Sequence, residues 1–345
     1  MRRLAVGAVF AVVVIGALLV IGQGGPAEPL PGQPLRALGN AKGIVVGTAV
    51  REDQQRKNRA YRELIAAQFQ SVTPENEMKW YLLQPEQGRF TFEAADRVVK
   101  EALDAGQTVR GHSLVFHGQL PLWVGKLGRR ELEGAMRAHI AEVMRHYAGR
   151  VGVWDVVNEA LLDDGGLRPS PFLKRLGSGY IGEAFGLARK ADPKAKLYIN
   201  EIGAEGINAK SNRLYRLVRD LKSQGAPIDG VGFQTHFNLG GVPDGFVDNM
   251  RRFEALGLEI ALTEADVGLP VPPTTEQLEA QSQVYARIVE SCLAVKACKS
   301  LTFWGFTDGR SWIPETQPGM GAATLLDEQL RPKPAFAAVQ RALSG

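Results

Sequence analysis

Two glutamates carry the strongest chemical suggestion in this sequence. Glu159 follows an apolar run at 151–157, and Glu264 follows another at 259–263. A carboxylate placed directly after a buried strand sits at the mouth of the sheet or barrel that the strand builds. Two of them facing one cleft are the machinery of glycoside hydrolysis, in which one protonates the leaving oxygen while the other attacks the sugar carbon or activates water. Either glutamate alone reads equally well as a solvated loop residue, so the argument rests on the neighbours. Gln234 and His236 stand two apart on what reads as one strand and so point to the same side. Glu264 and Asp266 share that relation. A chain of Glu264, His236 and Asp266 would orient one carboxylate and keep it ionised. Trp304 and Trp312 offer flat faces of the kind that pack on sugar rings, although tryptophans at strand ends also serve as core.

These side chains need a frame. Short apolar, strand-like runs occur at 44–49, 71–73, 109–116, 151–157, 197–199, 231–234, 259–263 and 301–305. Amphipathic patterns of helical period lie between and after them, at 58–69, 92–105, 130–148, 182–190, 208–223, 245–256, 276–293 and 333–343. Strands alternating with helices predict a parallel sheet, and runs such as Val151-Gly-Val-Trp-Asp-Val-Val157 lack the polar alternation of a half-exposed strand. Eight of each over this length predict a single (β/α)8 barrel, whose active site lies at the C-terminal ends of its strands. Those ends carry Thr73-Pro-Glu-Asn-Glu-Met-Lys-Trp80, Arg110-Gly-His-Ser-Leu-Val-Phe-His117, Asn158-Glu159, Gln234-Thr-His236, Thr263-Glu-Ala-Asp266 and Phe303-Trp-Gly-Phe-Thr-Asp308. An open doubly wound sheet is the competing frame, but no glycine-rich phosphate loop follows the first strand.

Composition narrows the classes further. With 45% hydrophobic and 23% charged residues over 345 positions, the chain can bury a large core, which excludes disorder for most of it. The formal charge is +4, and setting aside Arg2 and Arg3 leaves +2, too little and too scattered to argue for nucleic acid. The 44–49 run has no His-x-His for a metal-dependent barrel hydrolase, and no G-x-S-x-G elbow marks a serine hydrolase.

At the N-terminus, Arg2 and Arg3 precede an apolar run at 4–21, the pattern of an export signal or a membrane anchor. No A-x-A cleavage site follows, so both readings stand for 1–22, and either puts the body of the protein outside the cytoplasm. Residues 23–34 hold four prolines and three glycines and read as an extended linker, with the catalytic barrel at 35–345. Cys292 and Cys298, six apart at a helix-to-strand junction, suit either a short disulfide or two buried thiols.

The segments Thr73–Trp80, Trp154-Asp-Val-Val-Asn-Glu-Ala160, Gly232-Phe-Gln-Thr-His236, Leu262-Thr-Glu-Ala-Asp266 and Trp304-Gly-Phe-Thr-Asp308 resemble, in order, the family 10 glycoside hydrolases, the endo-1,4-β-xylanases. The likeness runs from 43 to 343. It implies a retaining endo-hydrolase with Glu159 as acid/base, Glu264 as nucleophile, and His236 and Asp266 supporting Glu264. It also implies that Asn158 bonds the hydroxyl beside the reacting carbon and that Glu75, Asn76, Lys79, His112 and Gln119 line the glycone subsites. Gln234 would lie near the reacting sugar, and Trp304 and Trp312 would wall its ring. Cys292 and Cys298 stand where many bacterial members place a disulfide. The implied chemistry uses no metal or cofactor. The implied partner is xylan or a related β-glycan and not nucleic acid, with membrane association through 4–21 if that segment is retained, and the chain is expected to act as a monomer.

Several residues depart from the family pattern. Phe116 replaces a usual tryptophan, Asn200-Glu-Ile-Gly203 replaces a run closer to Asn-Asp-Tyr-Asn, Gly309-Arg310 replaces a bulkier or differently charged pair, and Ala265 replaces a common leucine. Phe116 and the 200–203 run predict lost hydrogen bonds around the reacting and leaving sugars, and Ala265 a packing change only. A β-glycanase acting on another polysaccharide shares both glutamates and is the first alternative, though the Glu75–Lys79 run favours xylan. A non-catalytic glycan-binding protein is the second, and the presence of both glutamates with their supporters counts against it.

Overall fold

The computed structural model describes residues 25–345, so the apolar run at 4–21 lies outside the described residues. Eight strands form the core: β1 Val45–Val50, β2 Ser71–Pro74, β3 Thr108–Phe116, β4 Val153–Asn158, β5 Lys196–Glu201, β6 Gly230–Phe233, β7 Glu259–Pro270 and β8 Cys298–Phe303. Each pairs in parallel with the next, and β8 pairs with β1 through Val45–Ser300 and Val46–Leu301, so the sheet closes into a barrel. The expected (β/α)8 architecture is present. Burial explains the weak alternation of the strands: in β4 and β5 every residue after the first is buried, on one side by the barrel interior and on the other by helices. Packing is close enough to demand glycine at Gly111 of β3, where a Cβ would come within 2.2 Å of the Trp154 ring on β4.

The principal helices are Arg59–Gln68, Glu93–Asp104, Arg129–Tyr147, Tyr180–Ala191, Ala209–Ser223, Phe246–Glu254, Thr275–Leu293 and Pro334–Ser344. Their starts are chemically marked. Asn58 accepts from the Tyr61 N–H, Asn208 from Ser211 and Thr274 from Gln277, each satisfying an orphan amide of a first turn. One further helix, Leu35–Lys42, precedes β1 and packs against the C-terminal helix; a single periodic turn pair beside a proline-rich stretch gave it little signal. The described part of the 23–34 segment has no regular structure but is fastened to the barrel. Ala27 N–H donates to Glu63 at 2.8 Å, and Gln340 Nε2 donates to the Pro31 and Gln33 carbonyls at 2.7 and 2.9 Å. Cys292, at the end of one helix, is bonded to Cys298 at the start of β8 across a Cα separation of 5.4 Å.

His139 is an unusual core residue. It lies fully buried on the Arg129–Tyr147 helix, stacked on Trp80 with ring centroids 3.9 Å apart, and neither ring nitrogen has a hydrogen-bond partner among the described residues. Burial pushes it down to about 3, so the folded protein holds it neutral. In the unfolded chain it protonates near 6.5, so stability is full above that pH and falls as pH drops from there toward about 3. By about pH 4.5 the loss reaches roughly 2–3 kcal/mol. His139→Phe keeps the stacked ring without the titration. Thermal melts across pH 4–8 should therefore show a flatter acid slope in the variant, and equal slopes would count against this account.

Candidate active site

Glu159 stands just past β4 with its backbone in the left-handed region at φ +53°, a conformation that costs a non-glycine residue energy and must be held. It is held from both sides. Its N–H donates to the Asn200 carbonyl of β5 at 2.9 Å, and its own carbonyl accepts from Arg168 Nε at 3.1 Å. This conformation turns the side chain into the barrel mouth, where Oε1 accepts from Gln234 Nε2 at 3.2 Å.

Glu264 sits within β7, at a shift in the register between β7 and β8. Its carboxylate is almost fully buried. Oε1 accepts from Asn200 Nδ2 at 2.6 Å, and Oε2 meets His236 Nε2 at 3.2 Å. His236 Nδ1 lies 2.9 Å from Asp266 Oδ1, and Trp312 Nε1 donates to the other Asp266 oxygen at 2.8 Å. Burial acts to lower the His236 imidazole, but its two carboxylate partners, Asp266 foremost, push it up to about 10. The imidazolium then donates to both carboxylates. Burial acts to raise Glu264, yet the His236 hydrogen bond and the influence of His112 and His236 bring it below the usual glutamate range. The chain of Glu264, His236 and Asp266 is thus an ion network that keeps one buried carboxylate charged.

One premise of the sequence reading needs correcting. Gln234 and His236 do not share a strand: β6 ends at Phe233, and His236 begins a separate short strand, His236–Asn238, paired with β7. The break is at Thr235, which is left-handed at φ +58° and whose N–H is taken by the buried carboxylate of Glu205 at 2.8 Å. The break still leaves Gln234 at the cleft and His236 behind Glu264.

Both glutamates line one cleft of about 500 Å³ together with all nine candidate substrate contacts: Glu75, Asn76, Lys79, His112, Gln119, Asn158, Gln234, Trp304 and Trp312. His236 and Asp266 are not in its wall; they sit behind Glu264. On the β2 side, Lys79 Nζ and Gln119 Nε2 both donate to Asn76 Oδ1, at 3.3 and 3.0 Å. Burial pushes Glu75 up to about 7 against the pull of Arg51 and Lys79. His112 is fixed by Asp155 at 3.0 Å, and Asp155 is itself paired with buried Arg110 on the barrel floor.

The departures fall unevenly. Phe116 and Ile202 line the cleft, whereas Glu201 turns inward and is wholly buried against Lys210, so only part of the 200–203 run faces a sugar. Gly309 and Arg310 line a separate depression with Asn58 and Tyr61, so they do not belong to the site as expected. Ala265 is buried beside Phe303, as a packing change would be.

Asn200 is the residue that sequence reasoning missed. Its amide donates to Asn158 Oδ1 at 2.9 Å as well as to Glu264, and its oxygen accepts from Thr263 Oγ1 at 2.7 Å. Gly232 makes room for it, since a Cβ there would lie 2.2 Å from Asn200 Oδ1. Its position near a strand end, like Asn158, was the available signal.

The chain matches the glycosyl hydrolase family 10 model over residues 34–342. It is 40% identical to endo-1,4-beta-xylanase B of Thermotoga neapolitana, covering 89% of this chain and 90% of that one. It is also 40% identical to endo-1,4-beta-xylanase A of Phanerodontia chrysosporium, over 88% of this chain and 75% of that one. The structure of native xylanase 10B from Thermotoga maritima superposes with a TM-score of 0.88 at 41% identity, covering 90% of this chain and 98% of that one. Xylanase 10B from Thermotoga petrophila, solved in complex with xylobiose, superposes equally well at 39% identity, over 92% and 98%. Closed barrel, cleft and relatives together define a (β/α)8 glycoside hydrolase. The chain belongs to glycosyl hydrolase family 10.

Asn200→Ala removes a charge-assisted hydrogen bond to Glu264, of a kind that contributes about 1.5–3 kcal/mol. Its kcat/KM on the polysaccharide substrate should fall roughly 10- to 100-fold. A loss below about threefold in a folded variant would mean that the contact is idle in the reaction.

Proposed function

We propose that the chain is a retaining endo-1,4-β-xylanase working by double displacement. The observation that carries this reading is the unequal treatment of two carboxylates in one cleft. Glu264 is wired through His236 to Asp266 and held ionised, which suits a nucleophile. Among the described residues, the Glu159 carboxyl group is hydrogen-bonded by Gln234 alone and stands at the open side, which suits a proton donor. In the first step Glu264 attacks the anomeric carbon from below the sugar while Glu159 protonates the departing glycosidic oxygen, leaving a glycosyl ester on Glu264. In the second step Glu159 takes a proton from water, the water attacks the same carbon, and the ester is released with the original anomeric configuration. Asn158, held by Asn200 and Gln234 at 2.9 and 3.3 Å, would bond the hydroxyl beside the reacting carbon. Glu75, Asn76, Lys79, His112 and Gln119 would hold the glycone side, and Trp304 and Trp312 would wall the reacting ring.

The relatives named above are xylanases, and one is complexed with xylobiose, which supports xylan as the substrate. The disulfide and the apolar N-terminal run support action outside the cytoplasm. Residues 1–22 serve in this reading as signal or anchor, and the enzyme works as a monomer on the polymer.

Retention requires the two carboxyl groups roughly 5–5.5 Å apart, and NMR of fresh hydrolysate should show the β-anomer first. An initial α-anomer would assign the chain to inversion. Glu264→Ala should abolish turnover, whereas Glu159→Ala should spare substrates with activated leaving groups.

Specificity follows from the wall of the cleft. Phe116 cannot donate a hydrogen bond where an indole could, and Ile202 offers no phenol to a leaving sugar. Each lost bond costs about 0.5–1.5 kcal/mol, up to roughly tenfold in rate when it acts in the transition state. The chain should therefore be a slower xylanase than relatives that keep those groups. Phe116→Trp with Ile202→Tyr and Gly203→Asn should raise kcat/KM on xylan; Gly203 is at φ +68°, which asparagine tolerates. No gain on xylan, with the parent cleaving another glycan well, would mean that the departures mark a different substrate.

A further inference from the structure

Behind the acid/base side of the cleft lies a buried ion pair that the mechanism above does not use. Glu201, the last residue of β5, is fully buried, and Lys210, in the first turn of the Ala209–Ser223 helix, is 1% exposed. Their side chains meet at 3.2 Å. A buried ion pair is expensive to desolvate and is weak evidence for stability by itself, so its other contacts matter. The second Glu201 oxygen accepts from the Leu161 N–H at 3.1 Å, and Lys210 Nζ also reaches Asp163 Oδ1 at 3.2 Å. Leu161 and Asp163 lie two and four residues beyond Glu159. The end of β5 therefore holds that loop at two amides, the Glu159 N–H on the Asn200 carbonyl and the Leu161 N–H on Glu201. The loop returns on itself through a Leu161–Leu167 bridge and delivers Arg168, whose Nε takes the Glu159 carbonyl. A left-handed glutamate persists only where its surroundings over-determine it.

We propose that the Glu201–Lys210 pair is a positioning device for the acid/base carboxyl, fixing the 160–168 loop so that Glu159 meets the leaving oxygen. The inference rests on the assignment of Glu159 as acid/base. It also gives the Glu201 departure a meaning other than a lost sugar contact: the side chain is spent on the loop that carries the acid. Its three hydrogen-bond partners among the described residues all donate to it, the Leu161 and Ile202 amides and the Lys210 ammonium, while burial, against the pull of Lys210 and with the help of the nearby Glu159, pushes its carboxyl up to about 8.

A loss of positioning differs from a loss of packing in its dependence on the leaving group. Protonation matters for a sugar leaving group and hardly at all for an activated phenol, and kcat/KM reports the first, glycosylating step. Glu201→Gln and Lys210→Met should each lower kcat/KM on a xylo-oligosaccharide at least about tenfold, and on an activated aryl xylobioside less than about threefold. The double variant leaves no lone buried charge, so it keeps the test open if a single variant fails to fold. It should lose about as much as the worse single variant, because the two groups act as one unit. Parallel losses on both substrates, or no loss on either, would overturn the proposal. Glu159→Ala, measured alongside, separates the two questions. If it shows the leaving-group split and the pair variants do not, only the positioning role falls. If Glu159→Ala itself loses both substrates equally, the acid/base assignment falls.

Discussion

Glu264 is buried, and a buried carboxylate has lost the hydration that keeps it charged. In its proposed role of nucleophile it would then protonate and stop working. His236 restores the charge by standing between Glu264 and Asp266, two anions that together hold the imidazole protonated far above its ordinary range. The network is mutual: the cation keeps Glu264 ionised, and the two carboxylates keep the cation. Trp312 and Asn200 close it by donating to the outer oxygens of Asp266 and Glu264. Remove the imidazolium and two carboxylates would face each other through a low-dielectric wall without the cation bonded to both, leaving the more distant charges of Lys79 and Arg110.

The barrel supplies what this network needs, because its members come from separate strands. Asn200 arrives from β5, His236 from the strand after β6, Glu264 and Asp266 from β7, and Trp312 from the loop after β8. Closing the sheet brings those ends together, and local irregularities aim the side chains. Thr235 and Glu159 take left-handed conformations, and the β7–β8 register shifts beside Glu264. The two left-handed residues are held by named partners: Glu205 for Thr235, and Asn200 with Arg168 for Glu159. The same logic extends outward to Glu201 and Lys210. The two proposed chemical roles thus receive different supports, a charge network for the nucleophile and a braced loop for the proton donor.

The alternation of apolar runs and amphipathic stretches was enough to read the barrel, because parallel strands buried on both sides leave a simple pattern. The candidate site residues stand out in the sequence where polar groups break a strand end, as with Asn158–Glu159 and Glu264-Ala-Asp266. Contacts between distant strands were not. Asn200 looks like one more polar residue until β5 is placed between β4 and β6 and its side chain reaches Glu264 of β7 across Gly232, and Gly232 gives no sign that it makes room for it. The separation of Gln234 from His236 depends on one backbone angle at Thr235, which no residue type announces. Glu201 reads as a sugar-facing departure because strand ends face the mouth, yet its side chain turns to a lysine nine positions on. His139 reads as an ordinary residue of a long, mixed helix, and only the stack on Trp80 shows that it is buried without partners.

The claim on which this account depends is that His236 is a cation in the resting enzyme. NMR of ring-labelled histidine, followed across pH in the free protein and assigned by loss of the signal in a His236 variant, measures it directly. The account predicts that His236 stays protonated through the neutral range and titrates only near 10. A His236 ring that loses its proton near the ordinary histidine value of about 6.5 would contradict it, since Glu264 would then lack the cation bonded to it.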